Sequence, residues 1–354
     1  MKAESKDFLF KLLNTPSPTG HEQRIQRLVA RRMREYADLI EGDLHGNLIV
    51  AVNPGAKRKV MLAGHCDQIG FMVKHISEDG CLWVSALGGV DPGVLYGARV
   101  TVHTKRGPME GVIGRKPIHL QKGDERTKLE LELEKVWIDI GARDRKEAQK
   151  YVELGDAVTF QSGVFELPNG RIVSPGMDDR VGLFVAMETV RRCARRKLAV
   201  GLYAVSTVQE EVGLRGAMTS AFGIEPEVGI AIDVTHASDN PGNDDKKQPS
   251  CQVGGGPTIS RGPNVNPVVA RRLIAAAKKA KIKYQLLPSA DLLGNDARAI
   301  QVSRRGVATG SIGIPNRYMH TQVELCSLAD IENAAKLLTY FVRDISPKTS
   351  FKPF

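Results

Sequence analysis

A chain of 354 residues is longer than one ordinary hydrophobic core accommodates, which argues for two domains. Hydrophobic residues at 42% and charged residues at 25% exclude a disordered or low-complexity chain; with no apolar run near the roughly 20 residues of a membrane span and no signal-peptide core after Met1, a cytoplasmic protein with no membrane contact is expected. The formal net charge of +10 does not imply a nucleic-acid partner, because clusters such as Arg191-Arg192-Cys193-Ala194-Arg195-Arg196-Lys197 sit at helix ends as solvated cations, and aromatics are only 5% of the chain, too few for a base-stacking platform. In chain order, Thr19-Gly20-His21-Glu22 has the form of a capping box, and Ile25, Leu28, Val29, Met33 and Tyr36 follow at helical spacing. Asn47 to Val52 reads as a strand, Asn53-Pro54-Gly55 as a turn, and Lys59 to Gly64 as a second strand ending on His65-Cys66-Asp67. Order is expected everywhere except at the two ends.

From about Gln68 the texture changes to short strands split by Gly and Pro. Val100, Val102 and Thr104 alternate, Leu129 to Glu134 alternates strictly, and Val158-Thr159-Phe160 adds a short run. This predicts a small β domain at 69–163, inserted into a larger α/β domain made of 1–68 and 164–354. After the insert come a strand at Arg171-Ile172-Val173, then Asp178-Asp179 before a helix from Val181 to Arg195, and then the apolar run Leu198 to Val205. That run suits a parallel strand buried on both faces, and Glu210 and Glu211 stand beyond its carboxyl end. Val228 to Ile232 ends on Asp233, Asp239 to Pro263 is a Gly- and Pro-rich loop, and a helix from Pro267 to Lys281 follows. A strand at Val307 to Ile314 leads to Tyr318-Met319-His320, and the chain closes on a helix from Leu328 to Ile345.

His65, Glu210 with Glu211, Asp233 and His320 thus all follow apolar strand-like runs, and Asp178 precedes a helix. Singly, such residues are most often hydrogen-bonding groups or helix caps. Together, two His, two Asp and one Glu match the donors required by a pair of zinc-like ions sharing one carboxylate. One ion would take His65 and Asp233, the other Glu211 and His320, with Asp178 bridging them about 3.5–4 Å apart. Glu210 is then the general base, Asp67 holds the His65 ring by its other nitrogen, and Asp179 either fixes the geometry of Asp178 or is itself the bridging aspartate in its place. Five scattered cysteines with no Cys-x-x-Cys spacing indicate neither a disulfide framework nor a thiolate site.

The ordered set His65-Cys66-Asp67-Gln68-Ile69-Gly70-Phe71, Asp178-Asp179-Arg180-Val181-Gly182, Glu210-Glu211-Val212-Gly213-Leu214-Arg215-Gly216-Ala217, Asp233-Val234-Thr235 and Arg317-Tyr318-Met319-His320 resembles the tetrahedral aminopeptidases, the di-metal enzymes that include the glutamyl aminopeptidases. Gly88-Gly89-Val90-Asp91-Pro92 and Trp137 to Ala142 look like landmarks of the same family. The resemblance implies a three-layer α/β/α domain with an inserted β-barrel-like dimerisation domain. It also implies two zinc or cobalt ions per subunit, peptide substrates with a free amino terminus, and assembly of dimers into tetrahedral dodecamers.

The chain departs from the family pattern at Thr321-Gln322-Val323-Glu324, where Ser-Pro-Val-Glu is usual, and at Gly294-Asn295-Asp296-Ala297, where Gly-Thr-Asp-Ala is usual. Arg298 and Arg305 add charge where small residues are expected. Two rival readings use the same ions: a carboxypeptidase, which needs a cation such as Arg298 or Arg317 for the substrate carboxylate, and an N-acyl-amino-acid deacylase. A glycosidase built on Glu210 and Glu211 leaves the two His without a role. A catalytically inactive basic scaffold is the reading from another class, opposed by retention of the whole ligand set.

Overall fold

The apolar runs become strands of one eight-stranded sheet. In the computed structural model, which describes residues 1–123, 132–244 and 246–354, the chain enters this sheet through β1 (Leu39–Gly42), β2 (Leu48–Val52) and β3 (Lys59–His65). It then forms a closed barrel from β4 (Gly70–Ile76), β5 (Leu82–Leu87), β6 (Arg99–Thr104), β7 (Gly107–Gly114), β8 (Trp137–Asp139) and β9 (Ala157–Phe160), paired in the order β4-β5-β8-β7-β6-β9 with β9 returning to β4. Strands β10 (Phe165–Leu167) and β11 (Arg171–Val173) lead back, joined by β17 (Leu325–Ser327) in a small sheet. β12 (Gly201–Thr207), β13 (Val228–His236), β14 (Thr258–Arg261), β15 (Gln285–Pro288) and β16 (Ala308–Asn316) complete the large sheet in the order β1-β2-β12-β3-β13-β16-β14-β15. Its centre, β12, β3, β13 and β16, is parallel, so four carboxyl ends meet at one edge, where open α/β sheets gather ligands.

Alternation along these strands makes three layers. Val50, Val52, Val60, Leu62, Leu202 and Ala204 share a core with the helices Ala3–Leu13, Gln23–Met33, Met177–Cys193 and Leu328–Asp344. Their neighbours Ile49, Ala51, Met61, Ala63, Tyr203 and Val205 pack on the other face with Leu214, Ala217, Ala221 and Ile300. Because both faces are covered, the strands read as near-continuous apolar runs. At Gly64 a Cβ would lie 2.4 Å from the Leu183 nitrogen, so the Met177–Cys193 helix presses on the end of β3 only because position 64 has no side chain. The barrel has its own core, centred on Phe71 and Phe160, whose rings meet edge to face at 5.7 Å.

Several sequence expectations are corrected. The amino terminus is helical over Ala3–Leu13, since Phe8, Leu9, Leu12 and Leu13 all bury against the core. Thr19 is not a helix cap: its hydroxyl donates to Asp67 Oδ2 at 2.9 Å, and the helix starts at Gln23. Arg191 and Arg192 are not solvated cations but partners of Glu188 at 2.7 and 2.8 Å. The strand expected over 129–134 lies outside the described residues at 129–131, and Leu133–Lys135 is a 3-10 turn. Among the described residues no helix is long and apolar enough to cross a membrane.

Candidate metal centre

His65 closes β3 in register with Thr207 of β12, after which the chain turns through Gln209, in the left-handed region at φ 54°, to Glu210 and Glu211. Asp233 lies within β13, opposite Gly313 of β16, and His320 sits at φ 63° in the loop beyond β16. Asp178 is the second residue of the Met177–Cys193 helix, but its ψ of 108° is not helical. These elements bring the distant residues together. His65 Nε2 lies 2.9 Å from Asp178 Oδ1, across 113 positions of sequence, and His320 Nε2 lies 3.2 Å from Asp178 Oδ2. Donor atoms of His65, Asp178 and Asp233 all fall within 4.8 Å of one another, and so do those of Asp178, Glu211 and His320. Asp178 belongs to both trios and Asp179 to neither. Glu210 stands beside them, with Oε2 3.9 Å from His65 Nε2.

Backbone groups set the rings. His65 Nδ1 donates to the Asp67 carbonyl at 3.0 Å and His320 Nδ1 to the Gly89 carbonyl at 2.7 Å, which turns each Nε2 towards the carboxylates. It is thus the Asp67 carbonyl that meets the ring at hydrogen-bond distance, with its carboxylate Oδ1 standing at 3.4 Å. That carboxylate is occupied elsewhere, accepting the Glu210 N–H at 3.0 Å, the Glu211 N–H at 3.2 Å and the Thr19 hydroxyl, so it pins the glutamate turn to β3. Asp179, fully buried, accepts the His65 and Gly182 N–H groups. Glu324, also buried, accepts the N–H of His320 at 2.8 Å and of Asp178 at 3.0 Å.

The electrostatics favour cations. Burial pushes the carboxyls of Glu210, Glu211 and Asp233 up, and neighbouring carboxylates add to the effect: Asp233 at Glu210, and Asp178 at both Glu211 and Asp233. Asp178 is the exception; burial acts against its charge, but hydrogen bonds from His320 and His65 hold it well below the usual range. Among the described residues no Lys or Arg pairs with Asp67, Asp178, Asp179, Glu210, Glu211, Asp233, Asp296 or Glu324. Arg180, buried nearby, spends its donors on the Leu13 and Pro175 carbonyls and the Ser17 hydroxyl. Glu211 Oε1 is buried with no hydrogen-bond partner. Such a cluster of buried carboxyl groups with no cationic Lys or Arg beside it, with an orphaned oxygen and two imidazole nitrogens turned into it, fits divalent ions that take mixed nitrogen and oxygen donors.

The trios open into a cavity of about 530 Å³, walled further by Ser260, Leu287, Leu293, Asn295, Arg298 and Met319. Arg298 is exposed there, and among the described residues no carboxylate pairs with it. Arg317 is committed to Asp239 through two bonds of 2.9 and 2.7 Å, and Arg305 lines a different depression with Lys57 and Glu227. Sequence reasoning missed Thr19, Glu324 and Gly89 as supports of the site. Glu324 carried a signal, a carboxylate four residues after His320 leading into the apolar Leu325-Cys326; a backbone carbonyl such as that of Gly89 carries none.

Residues 46–337 match the model of the M42 glutamyl aminopeptidase family. The lysyl aminopeptidase of Pyrococcus furiosus is 36% identical over 343 residues, covering 96% of this chain and 97% of its own. A TET aminopeptidase from a marine-sediment Thaumarchaeota archaeon superposes with a TM-score of 0.92 at 33% identity, covering 98% of both chains. The Pyrococcus horikoshii TET1 peptidase, described as assembling into a tetrahedron or a large octahedral shell, superposes at 0.86 with 30% identity, over 96% of this chain and 100% of that one.

Proposed function

Because the chain belongs to the M42 glutamyl aminopeptidase family and is an aminopeptidase, a hydrolase of peptide bonds, we propose that it trims peptides with a free amino terminus using two divalent ions. His65 and Asp233 would hold one, Glu211 and His320 the other, and Asp178 both; zinc or cobalt suits this donor set. The observation that carries the reading is that the two oxygens of Asp178 face two different imidazoles, at 2.9 and 3.2 Å. When bound, such ions polarise the scissile carbonyl and lower the pKa of water at the site towards roughly 7. Glu210, outside both trios and anchored through its N–H to Asp67, takes the proton of the attacking water and passes it to the departing amine. Family membership sets aside the carboxypeptidase and deacylase readings, and the commitment of Arg317 to Asp239 agrees with that.

The family description names glutamyl and the Pyrococcus furiosus relative is named lysyl, so the preferred side chain has to be argued from this cavity. Arg298 favours an acidic N-terminal residue, whose carboxylate it would pair with. The division into a catalytic domain of 1–68 and 164–354 and a dimerising insert of 69–163 is part of the same reading, as is a tetrahedral dodecamer. Exposed Met72, Val112, Ile118 and Leu120 on the insert support a partner there.

Elemental analysis tests the core of it. Purified protein should carry two ions per subunit, Asp178→Ala should lose both, and N-acetylated peptides should resist cleavage. Full activity in protein stripped of metal would overturn the reading.

A further inference from the structure

The two trios are supported unequally. Every hydrogen-bond partner of His65 belongs to the sheet domain: the Asp67 carbonyl, Asp178 and, at its N–H, Asp179. Asp233 accepts the N–H of its own neighbour Val234. His320 is different. It sits in a loop, its side chain is 31% exposed against 2% for His65, and its Nδ1 is held by Gly89, in the barrel segment between β5 and β6. The same segment touches the second carboxylate of that trio: a Cβ at Gly88 would lie 3.1 Å from both Cβ and Oε2 of Glu211. Val90, partly buried, packs against the barrel core, and the Asp91 carboxylate accepts the Gly93 N–H to start the turn Pro92–Val94.

We propose that Gly88-Gly89-Val90 is a positioning element for one ion only, ordering Glu211 and His320 from the barrel while leaving the ion of His65 and Asp233 to the sheet; this rests on the two-ion reading above. The Gly89 carbonyl acts through His320. By accepting from Nδ1 it keeps the proton on that nitrogen and turns Nε2 towards Asp178 and Glu211. Loss of such an outer partner of a ligating His typically costs about 10–100-fold in metal affinity. The carbonyl cannot be deleted by substitution, but a methyl group at position 89 would sit 3.1 Å from His320 Nδ1 and 3.3 Å from Cε1, in space the ring needs. The ring would then have to give by a few tenths of an ångström, away from the position its bond to the carbonyl sets.

The test is calorimetric titration of zinc into metal-stripped, full-length protein. Wild type should show two binding events, and His320→Ala should abolish one, which identifies the second trio. Gly89→Ala should weaken that same event about 10–100-fold and leave the other unchanged, whereas Gly163→Ala, at a site with nothing within 4 Å of the added methyl, should change neither. Equal weakening of both events, or of neither, would overturn the inference. If Gly89→Ala does not fold, Val90→Ala replaces it: loosening that packing without adding atoms to the site should again weaken only the event lost in His320→Ala, and a uniform loss or no loss overturns the proposal. A single event in wild type would remove the two-ion reading itself, and the inference with it.

Discussion

Glu210 and Glu211 are neighbours in sequence with different surroundings. Glu211 faces His320 and Asp178 and has an oxygen with no protein partner, whereas Glu210 stands outside both trios. Glu210→Gln preserves shape and hydrogen-bonding capacity but removes the proton acceptor. Turnover should fall about 10²–10⁴-fold while metal content stays at the wild-type value, and normal turnover at full occupancy would place the base elsewhere. Arg298 makes a separate prediction. Arg298→Ala should lower kcat/KM for N-terminal glutamyl substrates about tenfold relative to leucyl ones, about 1.4 kcal/mol, and Arg298→Glu should shift preference towards lysyl substrates. Equal effects on all three substrates would show that Arg298 does not read the side chain.

The Met177–Cys193 helix does two jobs at its two ends. Its start is irregular, with Asp178 at φ −74°, ψ 108° and Asp179 at φ −120°, ψ 40°, so one carboxylate faces both imidazoles while the next accepts backbone N–H groups beneath. Towards its other end stands Glu188, only 2% exposed, bonded to Arg191 and Arg192 of the last turn and to the Ser5 hydroxyl; Arg191 reaches on to Glu4 and Arg192 to Glu332. Three helices are tied together there. Burial opposes the Glu188 charge, but the hydrogen bonds from Arg191 and Arg192 win and hold its pKa below 4.5. A carboxyl with a lowered folded pKa binds protons less readily than the unfolded chain does, so its stabilisation is present above pH 4.5 and lost as pH falls through the lower, folded value. Glu188→Gln should therefore cost about 1.5–3 kcal/mol at pH 7, with the gap to wild type narrowing in acid. Urea unfolding at neutral and acidic pH measures it; a gap independent of pH would mean that the charge contributes nothing.

At the scale of the whole molecule, the strands of the insert close on themselves. β9 pairs back to β4, so the barrel strands leave no edge for a second copy to extend. The proposed partner would cover its exposed apolar side chains, among them Leu120 at 63% exposure. Replacing 69–163 with a short Gly-Ser linker should give smaller particles in sedimentation and, because Gly89 leaves with the insert, weaker metal binding. Retention of the parent's assembly size would move the dimer contact to the α/β domain.

Local physics made much of this legible without coordinates. Apolar runs of strand length placed His65 at a strand end and the two glutamates beyond one, because strands buried on both faces must be continuously apolar and parallel strands must share one edge; Asp233, expected to end its strand, instead lies within β13, which runs on to His236. Donor chemistry then supplied the metal reading, since the types and number of side chains suffice for it. The rest depended on pairings that only folding creates. Thr19 fits a capping box by spacing, yet Asp67 competes for its hydroxyl from 48 positions away. Asp178 and Asp179 are chemically the same, and only the irregular start of their helix gives them different neighbours. Barrel closure is a property of six strands together. The acceptor that orients His320 is a main-chain carbonyl 231 positions distant, a group every residue possesses, and so no pattern of side chains announces it.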